Sequence, residues 1–215
     1  MIDQALKQEV LKELAWQPGF DETHIAVAAR GGVVTLTGHV GSYAEKCVVE
    51  RAAGRVTGVR AIVENLEIRY PSATSHSDVE IAKRALDVIS WDLSIPKNRV
   101  KIRIEKGWVT LTGDVDWRFQ RLAAEMDIRN LAGVMGVSNV IEIKPRFPAF
   151  DVEKRIRAAF RRNAEFAAEN IVVTADGDTV TLTGQVGGYH ERTLAADTAW
   201  SAPGVTEVND LLTVC

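Results

Sequence analysis

The chain has 215 residues and a formal net charge of −3, which argues against a general nucleic-acid binder, because such proteins carry a strong basic excess. No apolar run reaches the roughly 18 to 20 residues that cross a bilayer, and the first residues lack the segments of a secretory signal. The two cysteines, Cys47 and Cys215, are too few for a secreted disulfide scaffold, so we expect a cytoplasmic protein.

One seven-residue phrase occurs three times along the chain. It reads VTLTGHV at 34–40, VTLTGDV at 109–115 and VTLTGQV at 180–186. A Gly-Val pair follows each phrase at the same distance, at Gly58, Gly133 and Gly204. A fixed register of this kind indicates tandem repeats. We define the three copies as copy one (1–70), copy two (71–147) and copy three (148–215), each a separate domain.

Each copy reads as helix, strand, strand, helix, strand. In copy two, Ser77 and Glu80 form a capping box before an amphipathic helix that contains Ile81, Ala85, Leu86 and Ile89. The next segment alternates apolar and charged residues and ends at a glycine turn, which is typical of a strand. The later strand–helix–strand connection places its two strands parallel. The predicted fold class is α+β, with three αββαβ units, each a mixed three-stranded sheet carrying two helices on one face.

The repeated phrase is the second strand of each copy. Its two valines and its leucine share one parity and are predicted to face the core, whereas its threonines face outward. The glycine of the phrase is interpreted as the point where a helix crosses closely over the sheet. Trp16 and Trp91 occupy equivalent positions near the end of helix one and are expected to cover the core edge, with Phe166 in their place in copy three. If both rings were exposed, they would instead indicate partner binding.

This pattern of elements, with V-T-L-T-G-x-V on strand two and G-V before strand three, resembles the BON domain of bacterial osmotically inducible and nodulation proteins. The resemblance covers nearly the whole chain, as three tandem copies. It implies a non-enzymatic module linked to osmotic or envelope stress, to phospholipid or membrane association and, in some members, to transport. The best-known members are exported and carry two copies, so the three copies and the expected lack of an export signal depart from that pattern.

Copy two is the basic copy, with 12 Lys or Arg against 10 Asp or Glu. Cations beside tryptophan suit an anionic headgroup, because the charge attracts the phosphate and the ring lies at the interface. The alternative is a solvated, salt-screened surface. The candidate ligand-binding residues are Lys101, Arg103, Trp108, Trp117, Arg118 and Arg121.

No catalytic or metal-binding motif is present. The histidines, His24, His39, His76 and His190, include no pair at ligand spacing, so we expect neither an enzyme nor a cofactor. The leading hypothesis is a stress-associated binding protein that recognises anionic phospholipid or a membrane-proximal partner. The alternative is a scaffold that forms a homo-oligomer and is linked to solute transport or ion response.

Each sheet has an open face opposite its helices, which needs water or a partner. In copies one and three this face is small and weakly apolar, with Ala26 and Ala28 in one and Val172 in the other. We predict that these two faces are covered, by each other or by a second subunit. The face of copy two carries Lys101 and Arg103. It should stay exposed to solvent or bind an anion or lipid, because buried unpaired cations destabilise a fold.

Overall fold

The computed structural model describes residues 2–18, 22–70, 77–144, 151–162 and 170–214. Over these residues it contains three αββαβ units, so the predicted fold class is confirmed. The elements of copy one are α1 (Ile2–Ala15), β1 (Ile25–Arg30), β2 (Val33–Val40), α2 (Tyr43–Gly54) and β3 (Ala61–Ile68). Those of copy two are α3 (Asp78–Trp91), β4 (Val100–Glu105), β5 (Trp108–Val115), α4 (Arg118–Arg129), β6 (Gly136–Asn139) and β7 (Glu142–Ile143). Those of copy three are α5 (Val152–Arg162), β8 (Ile171–Asp176), β9 (Thr179–Val186), α6 (Tyr189–Trp200) and β10 (Glu207–Val214).

Each sheet has the strand of the repeated phrase at its centre. The sheets run β1-β2-β3, β4-β5-β6 and β8-β9-β10, and β7 continues the line of β6 along β5. The first strand of each copy pairs antiparallel with the central one. In copies two and three the last strand pairs parallel with it, as the helical crossover requires.

The predicted core face of the central strands is confirmed. All nine apolar residues of the phrase are at most 4% exposed: Val34, Leu36, Val40, Val109, Leu111, Val115, Val180, Leu182 and Val186. The capping box of α3 is also present, because Ser77 Oγ accepts from the Glu80 amide at 3.3 Å and Glu80 Oε2 accepts from the Ser77 amide at 3.2 Å. Leu86 differs from expectation and is 60% exposed on the outer side of α3.

The glycine of the phrase allows a close approach, but the partner is not the predicted helix. Gly38, Gly113 and Gly184 have φ values of +144°, +120° and +125°. A Cβ on each would lie 1.9 to 2.0 Å from the carbonyl oxygen of the residue that precedes the neighbouring antiparallel strand. The sheet therefore excludes side chains here because two of its own strands come together.

The prediction that Trp16 and Trp91 cover the core edge is wrong. Their side chains are 82% and 83% exposed, at the ends of α1 and α3. The core edge is closed instead by smaller helical residues, such as Leu14 at 1% exposure. Phe166, the expected counterpart in copy three, lies outside the described residues. The two exposed rings therefore belong to the outer surface, where a partner could reach them.

The chain groups into two compact units, and each contains a contact between copies. One unit comprises residues 1–38, 48–66 and 146–215, and the other residues 39–47 and 67–145. In the first unit, the amide of Tyr189 donates to Val59 O at 3.1 Å. The Tyr189 ring lies so close to Gly54 that a Cβ there would come within 3.0 Å of it.

The second unit contains a contact of the same kind. Tyr43, at the start of α2, is hydrogen-bonded to the backbone of Val137 in copy two and to the Cys47 side chain. Tyr70 Oη donates to Val134 O at 2.7 Å. Tyr43 and Tyr189 hold the same position in the repeat, and so do the Val59 and Val134 carbonyls. In both units, therefore, a tyrosine at the start of helix two of one copy lies near the start of strand three of another copy, although the hydrogen bonds of the two contacts differ.

Burial raises the pKa of Tyr43 to about 12, with Cys47 as the next contribution. An unfolded tyrosine ionises near pH 10. Below that pH both states keep the proton and the stabilisation is complete, whereas between pH 10 and about 12 the unfolded state ionises first and unfolding is favoured. Burial also raises the pKa of Tyr70, so Tyr43→Phe should reduce, but not abolish, the loss of stability in this window. Denaturant midpoints of the wild type and of Tyr43→Phe, measured between pH 10 and about 12, test this prediction. Identical pH profiles of the two proteins would contradict it.

Candidate functional site

The open face of the copy two sheet is where the structure gathers three of the predicted binding residues. Lys101 and Arg103 project from β4 and Trp108 from β5, on the side opposite the buried residues of the same strands. The register pairs Arg103 with Thr110 and Lys101 with Thr112. Both cations are exposed and Trp108 is 50% exposed. The face therefore stays open to solvent, as predicted for this copy.

The Trp108 ring is held in place by two residues of β6. Gly136 pairs with Trp108 across the sheet, and a Cβ at Gly136 would lie 2.4 Å from ring atom Cζ3. Trp108 Nε1 donates to Ser138 Oγ at 2.9 Å. The indole is thus flat against the sheet with one face presented outward. Sequence analysis missed Gly136 and Ser138, although aligning strand three of the copies would have placed them beside the tryptophan.

The charges around this ring are mostly positive. A shallow cavity of about 380 Å³ is lined by Arg103, Glu105, Lys106, Trp108 and Thr110. Arg103 Nη2 lies 3.3 Å from Glu105 Oε2, and both side chains are more than 70% exposed. An ion pair this exposed contributes little and exchanges readily with other anions. The cavity can therefore accept an anionic group against Arg103 and an apolar group against the indole.

The other three predicted residues lie on the helical side of the sheet. Trp117 precedes α4 and is 40% exposed, and Arg118 begins the helix. Arg121 is engaged within the copy, because its Nη2 donates to Asn139 O at 3.0 Å while Asn139 Nδ2 donates to Arg121 O at 2.8 Å. Burial lowers the pKa of Arg121. The structure therefore joins Lys101, Arg103 and Trp108, and separates Trp117, Arg118 and Arg121 from them.

The equivalent faces of copies one and three lack this chemistry. The positions of Lys101, Arg103 and Trp108 hold Ala26, Ala28 and Val33 in copy one, and Val172, Thr174 and Thr179 in copy three. Except for Thr179, which is half-buried, these side chains are exposed. The prediction that the two faces cover each other within the chain is therefore wrong, and cover by a second subunit stays a prediction.

Metal sites and membrane-spanning helices are both absent from the described ranges. There, no group of three His, Cys, Asp or Glu side chains is placed to hold a metal ion. None of the helices in these ranges is long and apolar enough to cross a membrane. Cys47 is half-buried and adjoins Tyr43, and Cys215 lies outside the described residues.

Comparison with known proteins places the chain in a family. Osmotically-inducible protein Y of Escherichia coli K12 is 29% identical over 153 residues, which cover 67% of this chain and 74% of that protein. Two structures of CdsD, a structural protein of the Type III secretion system of Chlamydia trachomatis, align with 98% of the chain at 14% and 13% identity, covering 92% and 97% of their own chains. Their TM-score of 0.26 is too low to indicate a shared overall fold. The BON domain matches residues 2–70, 77–145 and 149–215, and the chain therefore belongs to the BON domain family.

Proposed function

We propose that this chain is a non-catalytic, stress-associated protein whose copy two binds anionic phospholipid headgroups at its open sheet face. The observation that carries the proposal is the presence of Lys101, Arg103 and a half-exposed Trp108 on one face. Each lysine or arginine near an anionic membrane surface contributes about 1 kcal/mol to the free energy of binding. The indole adds a ring that is stable at the boundary between headgroups and acyl chains.

The layout of copy two supports a planar ligand surface. Its cations stand on a sheet, so they project in one direction and can meet several headgroups together. The attraction is largest for the cytoplasmic leaflet, which carries the anionic lipids, and a cytoplasmic location is part of the proposal. The link to stress rests on the relative that is named for osmotic induction.

Liposome cosedimentation tests the lipid proposal. The chain should sediment with vesicles that contain phosphatidylglycerol and remain in the supernatant with pure phosphatidylcholine. Binding should weaken strongly between low and high salt, because exposed charges are screened beyond about 10 Å at 0.1 M ionic strength. Arg103→Glu should reduce binding roughly 10-fold or more, since it replaces attraction by repulsion.

A charge-matched control separates the site from a general effect of net charge. Lys83 is an exposed cation on α3, in the helical layer of the same copy, so Lys83→Glu changes the charge equally without touching the sheet face. We expect it to retain most of the binding. Equal losses in the two variants, or no binding to anionic vesicles at low salt, would refute the proposed site.

A homo-oligomeric scaffold, linked to solute transport or ion response, is the second candidate function. The observation that favours it is the exposure of two sheet faces with few charged side chains, in copies one and three.

A further inference from the structure

The open sheet faces of copies one and three carry few charged side chains, and these lie near the ends of their strands: Arg30 and Glu67 in copy one and Asp176 and Glu207 in copy three. On the copy one face, Val33 and Val63 are 38% and 44% exposed. In copy three, Val172 and Leu211 are 50% and 62% exposed. The other uncharged positions are Ala26, Ala28, Thr35, Thr37 and Asn65 in copy one and Thr174, Thr181, Thr183, Asn209 and Thr213 in copy three. Flat faces of this composition are suited to face-to-face packing about 10 Å apart.

The charges at one corner of each face are complementary. Arg30 ends β1 and pairs with Val33, whereas the same corner of copy three holds Asp176, which pairs with Thr179. Glu207 begins β10 at the same end of the sheet, because it also pairs with Thr179. All three side chains are exposed. If the two faces pack with aligned strands, β1 lies over β10 and Arg30 comes over Glu207.

We propose that two copies of this chain form a dimer in which the copy one face of each chain packs against the copy three face of the other. This inference is independent of lipid binding by copy two, which uses a different face. Opposite charges at the corners favour copy one against copy three over either face against itself. The face of copy two is less suited to such packing, because Lys101 would be buried without a partner on its own face and Arg103 with only its weak pair to Glu105.

The area of the faces explains why both pairs are needed. One strand of six residues and two of eight give a face of roughly 350 Å² from ordinary strand spacings. One pair of faces would bury roughly 700 Å², which is below the range of stable interfaces. The two pairs of a symmetric dimer bury roughly 1,400 Å², which lies within that range. The dimer is therefore closed by two equivalent interfaces.

Sedimentation velocity on the full chain tests the dimer. One chain has a mass of 23.6 kDa, and the wild-type protein should sediment as a particle of twice that mass. Ala28→Lys and Thr174→Lys place a cation where copy two has Arg103, and each should weaken dimerisation roughly 100-fold or more, because a buried unpaired charge is costly. Thr57→Lys adds the same charge at an exposed position outside the face and should leave the dimer intact.

Mixing the two lysine variants tests which faces meet. In a mixed dimer of Ala28→Lys with Thr174→Lys, one interface carries both lysines and the other is wild type. Dimerisation should therefore recover in part, to the weaker level that one intact pair of faces supports at high protein concentration. If copy one met copy one instead, every interface would carry a lysine and nothing would recover. A wild-type chain that is monomeric at all concentrations, lysine variants that remain dimeric, or an absence of recovery on mixing would each overturn the proposal. Circular dichroism of the variants checks that each is folded.

Discussion

Gly184→Ala should destabilise copy three by about 2 to 5 kcal/mol. The Cβ would lie 2.0 Å from Asn170 O, and the backbone at φ +125° is strained for any residue with a side chain. Left-handed backbone costs about 1 to 2 kcal/mol, and forced displacement in a packed region costs about 1 to 3 kcal/mol more. Urea unfolding of the full chain measures the total loss in the free energy of unfolding. Faster hydrogen exchange of the β8 and β9 amides would show that the loss lies in copy three.

Gly177→Ala is the matched control for this substitution. Gly177 also has a positive φ, +61°, but no atom lies within 4 Å of the point that an alanine Cβ would occupy. Gly177→Ala should therefore destabilise the fold only through its backbone conformation, by about 1 to 2 kcal/mol. Equal destabilisation by the two substitutions would mean that the close approach of the neighbouring strand contributes nothing.

Tyr43→Ala should destabilise the contact between copies one and two by about 2 to 3 kcal/mol. The substitution removes a partly buried ring and the hydroxyl that is bonded to the backbone of Val137. Tyr43→Phe keeps the ring and should cost about 1 kcal/mol. Denaturant unfolding gives both values, and faster hydrogen exchange of the β6 amides would show that the loss reaches copy two.

Phe119→Ala provides the comparison for the tyrosine. Phe119 lies in the first turn of α4, as Tyr43 lies in the first turn of α2, but it is 57% exposed. Its truncation should cost less than about 1 kcal/mol. If the Phe119 and Tyr43 truncations cost the same, the contact made by Tyr43 would not stabilise the fold.

The elements of the fold were predictable because each depends on a local pattern. Alternation placed Val34, Leu36 and their equivalents in the core, and the Ser77–Glu80 capping box fixed the start of α3. The exposure of Trp16 and Trp91 was not predictable in this way. A tryptophan at the end of a helix lies at the boundary between core and surface, and its direction depends on chain elements that are distant in sequence.

The candidate site was only partly predictable for a related reason. Strand parity correctly placed Lys101, Arg103 and Trp108 on one face, since parity is a property of the strand alone. Arg121 is close to them in sequence, but it belongs to a helix that packs on the other side of the sheet, where Asn139 engages it. The contacts of Tyr43 and Tyr189 could not be predicted either, because no periodic pattern marks a residue that packs against another copy.

The repeated tyrosine contact also sets the order in which the chain can complete its fold during synthesis. Copy one leaves the ribosome first, yet its contacts require Val137 of copy two and Tyr189 of copy three. At about 5 to 20 residues per second, the ribosome takes roughly 6 to 24 s to extend the chain from copy one to Tyr189. The nascent first domain must therefore remain soluble with both contact surfaces unfilled. The domain made first therefore reaches its final surroundings no earlier than the domain made last.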